Sequence, residues 1–296
     1  MMQLEADERF VPHSSLISLK FHPDFESSDG NVVLAAKDAK LYFRVHSHTL
    51  RTTSGFFRTM YSLPQSHSSR SDIIYLDEDA EILEHLLFMI CGLPFPEITS
   101  DDLLDSILFA AEKYDMPGPM SILRMYLSLP SLATVDPIRL YGIARRYDWE
   151  KEAKHMSALT LTLDIYNERH HTSIRTLSTD AALDLFLLHR ARREGLRTCL
   201  DGPPFVSGEP STCAQCETPI TFAHSTWREL KHRMVLEIDR RPLGDTILDC
   251  GLNEWAEAVA CWKAACVNDG CKRLLYDRAE TIRVIRDCIG NLPKST

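Results

Sequence analysis

The sequence predicts an α+β fold, with short strands confined to the front third and helices along most of the remaining chain. Residues 32–34 and 41–45 are short runs of branched and aromatic residues on either side of the polar segment 37–40, a pattern typical of a β-hairpin. A third run of this kind occupies 73–76. From residue 136 onward the apolar residues recur at helical spacing, and strand patterns nearly vanish.

Helices are also predicted between and after these strands. Apolar residues within 46–61 have helical spacing. The acidic residues 77–79 precede a helix that should end at Gly92, because acids favour the positive end of the helix dipole and glycine commonly follows a helix. Two further helices are predicted around 101–111 and 122–127.

The back half should be almost entirely helical. Asp136 followed by Pro137 is typical of a helix start, and further helices are predicted over 149–163, 180–194 and 225–239. Near the end of the chain, steps of four, three and four residues predict one apolar stripe formed by Trp255, Val259, Trp262 and Cys266. A final helix should carry Leu275, Ile282, Ile285 and Ile289.

The clearest break in the chain is a stretch rich in proline and glycine at 201–210, which predicts a linker or an exposed loop. We therefore predict four segments. They are an N-terminal arm over 1–20, a compact domain over 21–130, a helical extension over 131–200 and a helical module over 201–296.

Charge and composition limit the function classes. The 296-residue chain is 44% hydrophobic and carries a net charge of −9, so it has ample core material but is a poor non-specific binder of nucleic acid. The arginines between 190 and 197 are predicted to form a solvated helix end. The chain has no glycine-rich phosphate loop, no Gly-x-Ser-x-Gly and no His-Glu-x-x-His, so the sequence predicts a protein that is not an enzyme.

The location of the protein bears on its cysteines. Residues 1–10 lack the apolar core of a secretory signal, and the most apolar stretch, 86–91, is too short for a membrane span. We expect a soluble protein of the cytoplasm or nucleus, where cysteines remain thiols or bind metal. Four cysteines are accordingly predicted to be free thiols: Cys91, Cys199, Cys250 and Cys288.

Two cysteine pairs predict a structural zinc site. Cys213 and Cys216 are spaced so that two thiolates can bind one ion from a tight turn, and Cys266 and Cys271 flank the turn sequence 267–270. Four thiolates would leave no open position for water or substrate, so such a zinc ion would be structural.

Alternatives to this zinc site stay open. Substitute ligands are Cys261, His224 and His232. The four cysteines could instead be small buried hydrophobes, and a redox Cys-x-x-Cys is a further alternative that the preceding proline loop disfavours.

The front third resembles the BTB/POZ family, both in its order of elements and in specific stretches. Residues 45–50 are similar to the family's Val-His-Lys-x-x-Leu, 54–60 to its Ser-x-x-Phe-x-x-Met, and 110–118 to its Ala-x-Lys-Tyr-x-Leu-Pro segment, while Asp29 precedes the first strand as it often does in the family. The segment 137–150 is similar to the helical extension of fungal BTB proteins, whose back halves often carry a Cys-x-x-Cys.

The resemblance implies a protein–protein interaction protein that forms homodimers and acts as an adaptor or scaffold. The apolar arm residues would pack on the partner copy: Leu16, Ile17, Leu19, Phe21 and Phe25. A transcription regulator or a substrate adaptor of a cullin-type ubiquitin ligase is the alternative. Two departures weaken the resemblance, because Ser47 replaces the basic mate of Asp29 and the segment 63–65 lacks the glutamate of cullin-recruiting members.

Overall fold

The computed structural model describes residues 19–63, 73–128, 136–205, 212–219 and 224–296. The chain forms two compact units, Met1–Tyr126 and Leu127–Thr296. Leu16 and Ile17 of the predicted arm lie outside the described residues. The predicted α+β class is confirmed, because a small sheet with helices is followed by a mostly helical region.

The sheet of the first unit has three strands, β1 (Val32–Ala35), β2 (Tyr42–Val45) and β3 (Ile73–Tyr75), in the order β2-β1-β3. β1 pairs antiparallel with β2, with Val32 opposite Val45, and parallel with β3. All three strands occur where the sequence predicts them. The hairpin turn is closed by Asp38, whose carboxylate accepts a hydrogen bond from the backbone N–H of Lys40 at 3.1 Å.

Five helices of the first unit follow the predicted order: α1 (Ser47–Thr53), α2 (Gly55–Ser62), α3 (Ala80–Cys91), α4 (Asp101–Lys113) and α5 (Pro117–Tyr126). The segment 46–61 forms two helices because Ser54 has extended backbone and caps α2. α3 ends at Gly92 in the left-handed region, with φ 71°, which glycine adopts without a steric penalty.

Phe25 belongs to the core of the first unit. It lies in a short 3₁₀ helix, Pro23–Phe25, and its ring packs edge-on against Phe43 and Phe88 at centroid distances of 5.7 and 5.5 Å. The prediction that Phe25 is an arm residue available to a partner copy is therefore wrong. Phe21 stays half-buried beside Tyr42 and under the guanidinium of Arg44.

The second unit is built from helices α6 to α13. Their bounds are α6 (Pro137–Arg146), α7 (Glu150–Thr160), α8 (His171–Arg175), α9 (Thr179–Asp201), α10 (Ser225–Arg240), α11 (Leu252–Glu254), α12 (Ala256–Lys263) and α13 (Arg278–Gly290). α8 and the π-helical turn Ile247–Gly251 were not predicted, and α9 extends past its predicted end at 194.

The predicted stripe from Trp255 to Cys266 is not one helix. Trp255 has extended backbone, with ψ 138°, and precedes α12, which ends at Lys263 because Ala264 is extended again. Cys266 therefore lies outside the helix. Residues at helical spacing were mistaken for one continuous face because the sequence carries no proline or glycine at either break.

One core joins helices α9 to α13 of the second unit. Leu196 and Leu200 of α9 pack with side chains of α10 and α13, among them Trp227, Met234 and Ile285. This core runs across the boundary predicted between residues 200 and 201, so α9 and the later helices share one compact unit.

Arg192 is buried in this unit, with 3% of its surface exposed. Its guanidinium donates hydrogen bonds to the carbonyl oxygens of Pro242, Leu243 and Pro293 at 2.5, 3.1 and 2.5 Å. The prediction of a solvated arginine cluster is wrong for this residue, because carbonyls that are remote in sequence surround it in the fold. Arg197, in contrast, is 63% exposed.

Cys199 and Cys288 form a disulfide that joins α9 to α13, with the Cα atoms 6.3 Å apart. The prediction that both are free thiols is wrong. It rested on the compartment alone, and a sequence separation of 89 residues gives no sign of the pairing. Cys91 and Cys250 are free thiols, as predicted, and both are exposed. None of the helices in the described part of the chain is long and apolar enough to cross a bilayer.

Candidate functional site

The four predicted cysteines, Cys213, Cys216, Cys266 and Cys271, lie together in the second unit, with all four sulfur atoms within 4.8 Å of one another. The closest pairs are Cys213 with Cys271 at 3.7 Å and Cys216 with Cys266 at 3.5 Å. A tetrahedral ion with metal–sulfur bonds of 2.3 Å would hold its sulfurs about 3.8 Å apart. The cluster could therefore hold a metal with little rearrangement.

The first pair lies on a tight loop. The backbone N–H of Cys213 donates to the carbonyl of Thr218 at 2.9 Å, and the N–H of Glu217 donates to the carbonyl of Cys213 at 2.8 Å. Glu217 follows the second cysteine, Cys216. Its backbone lies in the left-handed region, with φ 57°, which residues other than glycine and asparagine rarely adopt. This turn brings the two sulfurs of the loop to the same side.

The second pair repeats this design. The N–H of Cys266 donates to the carbonyl of Arg273 at 2.8 Å, and the residue after the second cysteine, Lys272, has φ 48°. The sequence predicts the turn from Asn268 and Gly270, and the side chain of Asn268 does accept from the N–H of Gly270 at 3.0 Å. The left-handed residue is nevertheless Lys272, which nothing in the sequence indicates.

Each sulfur atom is approached by a backbone N–H two residues further along the chain, and this hydrogen bond acts to lower the thiol pKa. The donors to Cys213, Cys216, Cys266 and Cys271 are Gln215, Thr218, Asn268 and Arg273, respectively. N–H groups directed at all four sulfurs stabilise thiolates, which are the form that binds metal.

The neighbouring thiols oppose one another's ionisation. The hydroxyl and backbone N–H of Thr218 lower the pKa of Cys216 to about 6. The N–H of Asn268 acts in the same direction on Cys266, but burial and the neighbouring Cys216 and Cys213 together outweigh it and raise the pKa of Cys266 to about 12. A divalent cation at the centre would remove this conflict, because it neutralises the charge that opposes the later ionisations.

The substitute ligands lie elsewhere. Cys261 is fully buried in the hydrophobic core, and burial raises its pKa to about 12. His224 is buried and forms a hydrogen bond with the hydroxyl of Tyr276 at 2.9 Å. His232 is exposed on α10. Sequence reasoning missed Thr218, whose side chain lies 3.2 Å from the Cys216 sulfur and 3.4 Å from the amide nitrogen of Asn268.

In the first unit, two of the family-like stretches meet. The hydroxyl of Ser54 accepts from the N–H of Phe57 at 3.1 Å and donates to the carbonyl of Tyr114 at 2.6 Å. The N–H of Gly55 donates to the carbonyl of Asp115 at 2.9 Å, and a Cβ on Gly55 would overlap the Asp115 carboxylate at 1.7 Å. Ser54 and Gly55 are therefore both required at this contact between α2 and the end of α4.

The stretch 110–118 also contacts a buried carboxylate, that of Glu78, which follows β3. Glu78 accepts hydrogen bonds from the hydroxyl of Tyr114 and from Lys113 Nζ, the latter at 2.7 Å. Lys113 and Tyr114 both belong to the stretch 110–118, so this stretch supplies both partners of the only strongly buried acid among the described residues.

Comparison with family models agrees with this geometry. The model described as "BTB/POZ domain" matches residues 25–130. These residues form a BTB/POZ domain. No curated protein matches the chain. BTB/POZ domains are generally non-enzymatic modules that bind proteins, and they often form dimers, so a protein–protein interaction role follows for this chain.

The BTB/POZ domain exposes an apolar cavity of about 490 Å³ beside α2 and the end of α4. Phe56 and Leu63, which line it, are 42% and 59% exposed. Lys113 and Asp115 form its polar edge. Apolar side chains this exposed around one concave surface are typical of a protein-binding site.

Asp29 was predicted to lack the basic partner residue that is common in the family. Its carboxylate lies 3.5 Å from His46 Nε2 of the same domain. Ser47, which occupies the position of the expected mate, instead accepts a hydrogen bond from Asn31 Nδ2 at 2.9 Å and fixes the start of α1.

Proposed function

We propose that this protein is a non-enzymatic adaptor or scaffold that forms homodimers through its BTB/POZ domain and carries a structural zinc ion in its C-terminal unit. The match of residues 25–130 to the BTB/POZ domain supports the interaction role most directly. The exposed apolar side chains of the same domain add support, because they offer a surface that a protein partner would cover.

Dimer formation is tested by light scattering coupled to size-exclusion chromatography. The chain has a mass of 33.7 kDa, and a dimer gives twice this value at micromolar concentration. Isologous pairing is the commonest closed symmetry of soluble oligomers. A particle that keeps the mass of one chain at the highest concentration reached would contradict the proposal.

The zinc proposal rests on the cluster of four sulfurs. Their spacing fits a tetrahedral ion, each receives a backbone N–H, and a set of four thiolates is typical of structural zinc. Such an ion would join the loop at 213–216 to the loop at 266–271 and leave no coordination position open for chemistry.

Elemental analysis of protein purified without added metal tests this site. We expect one zinc ion per chain, lost when Cys213 and Cys216 are both replaced by serine. Cys250→Ser is the matched control, because this thiol is free and exposed and lies outside the cluster. Protein without zinc, or zinc retained in the double variant, would show that these cysteines are only buried residues.

A cullin-type partner is a second candidate, favoured by the cavity at α2. Leu63 lies directly after α2, where cullin-recruiting relatives carry their apolar residue, and it is 59% exposed. Binding of a purified cullin N-terminal domain should be lost in Leu63→Glu. Leu183→Glu is the control, because Leu183 is 54% exposed in the second unit. Equal binding by both variants, or none by the unmodified chain, would remove this candidate.

A further inference from the structure

The pairing of Cys199 with Cys288 is separate from the four-cysteine cluster and has no part in the proposed function. Cys199 lies in the last turns of α9, and Cys288 lies in α13. Their Cα atoms are 6.3 Å apart, within the range that a disulfide bridges without moving the backbone.

The two helices are held close whether or not the bond is present. Arg192 of α9 donates to the carbonyl of Pro293 just beyond α13, and a Cβ on Gly195 would come within 2.7 Å of the Leu292 side chain. Leu196 and Ile289 are buried in the same core. Two thiols at the end of this interface would therefore stay within reach of each other after reduction.

The two cysteine residues differ in their exposure to solvent. Cys199 is half-buried, whereas Cys288 is 8% exposed and packs in the core. A small oxidant can therefore reach the first thiol, and the second is placed to complete the bond. The remaining thiols outside the cluster lack this arrangement, since Cys91, Cys250 and Cys261 have no cysteine partner among the described residues.

We propose that Cys199 and Cys288 form a reversible redox modification site, in which a peroxide oxidises the pair to a disulfide that locks α9 to α13. The Cys199 thiolate attacks one oxygen of hydrogen peroxide and the O–O bond breaks, so that a sulfenic acid forms and the hydroxide that leaves takes up the proton lost from the thiol to give water. The Cys288 thiol then attacks the sulfenic sulfur, and a second water leaves. Two thiols are oxidised and one peroxide is reduced. Two molecules of a thiol such as glutathione return the pair to the reduced state, with release of the oxidised disulfide.

Locking this pair should stabilise the second unit. The bond closes a loop of 89 residues, and a disulfide that closes a long loop removes much conformational entropy from the unfolded chain. The oxidised unit should melt on the order of 10 °C above the reduced unit. The proposal does not depend on zinc, because neither cysteine belongs to the cluster.

The test uses the full chain, reduced with dithiothreitol, freed of reductant and titrated with hydrogen peroxide. Intact mass should fall by two hydrogen atoms. Digestion with trypsin and a protease that cuts before aspartate separates Cys199 from Cys213, because Asp201 lies between them. The peptides of Cys199 and Cys288 should be recovered as one linked species, and glutathione should separate them.

Variants decide between a redox site and an inert pair of core residues. In Cys199→Ser and in Cys288→Ser the linked peptide and the melting shift should both be absent, and in Cys250→Ser both should remain. Three results would overturn the proposal: no link after peroxide, a link only among the four clustered cysteines, or a link that millimolar glutathione leaves intact. Zinc content, measured on the same samples, reports separately on the proposed metal.

Discussion

The two units of the molecule are stabilised in different ways. The BTB/POZ domain has a core of aliphatic and aromatic side chains around a three-stranded sheet, and its one cysteine, Cys91, is exposed. The second unit contains the other eight cysteines and a buried arginine that binds carbonyls. Its elements are tied together by cross-links between residues far apart in sequence.

This difference has a thermodynamic consequence. The first unit depends on apolar burial, which scales with area and is distributed over many residues. The second unit adds a few polar and covalent links to its apolar core, so the loss of one such link or a change of conditions should affect it more. The predictions below test this contrast, from the largest expected effect to the smallest.

Metal removal should separate the two units most clearly. If the cluster holds zinc as proposed, a chelator takes away a ligand whose binding is coupled to folding, and structural zinc contributes on the order of 10 kcal/mol or more in small domains. We expect amide exchange to accelerate around 212–219 and 264–276, while β1, β2 and α3 keep their protection. Hydrogen exchange with mass spectrometry resolves these segments. Equal loss of protection in both units would contradict the contrast.

Replacing Arg192 should have the next largest effect. Arg192→Met leaves the carbonyls of Pro242, Leu243 and Pro293 without their donor in a buried place, and each unsatisfied group costs about 1–3 kcal/mol. We expect the free energy of unfolding of the second unit to fall by roughly 3–5 kcal/mol. Urea unfolding, followed by amide hydrogen exchange in α9, measures this loss. Arg190→Met, at an exposed position of α9, should stay within about 0.5 kcal/mol of the unmodified protein.

His189 makes the second unit sensitive to acid. Its Nε2 lies 3.1 Å from the hydroxyl of Thr160, and that hydroxyl donates to the carbonyl of Ser157, so Nε2 must carry the proton. Nδ1 is buried and has no hydrogen-bond partner among the described residues. Burial, together with the charge of Arg192, lowers the pKa of His189 from 6.5 to about 4.

The sign of the pH effect follows from this. Between pH 6.5 and about 4 the unfolded chain binds a proton at His189 that the folded chain does not, so stability falls as the pH falls through this window. The loss reaches at most about 3 kcal/mol. His189→Leu should flatten the dependence of α9 protection on pH, and His155→Leu, exposed on α7, should not. A slope unchanged in His189→Leu would assign the acid sensitivity elsewhere.

Ser54→Ala is the smallest test and concerns the first unit. It removes the cap of α2 and the donor to the Tyr114 carbonyl, at a cost of about 1–2 kcal/mol. The BTB/POZ domain should stay folded and the proposed dimer should persist, because the apolar core is untouched. Circular dichroism and light scattering of the variant check both points, with Ser62→Ala at the exposed end of α2 as control.

The sequence predicts a structural feature correctly where residues close to it in the chain determine the backbone conformation. The hairpin around Asp38, the end of α3 at Gly92 and the start of α6 at Asp136 all depend on neighbours within a few residues. The four clustered cysteines were also predicted correctly as a group, because their spacing within each pair is a local signal.

What the sequence does not predict depends on distant neighbours. The carbonyls around Arg192 come from residues 50 to 101 positions away, and Cys288 is 89 positions from Cys199. The left-handed conformations of Glu217 and Lys272 have no signal either, since neither is a glycine or an asparagine. These features are selected by packing, and a single sequence does not display them.

The bond between Cys199 and Cys288 also changes what proteolysis can do. A peptide bond cut anywhere between these residues leaves the two fragments covalently connected as long as the disulfide is formed. A nicked chain would therefore run at full length on a gel without reductant and as two bands with it. In the oxidised protein, a single cut between these two cysteines therefore breaks the polypeptide chain but releases no fragment.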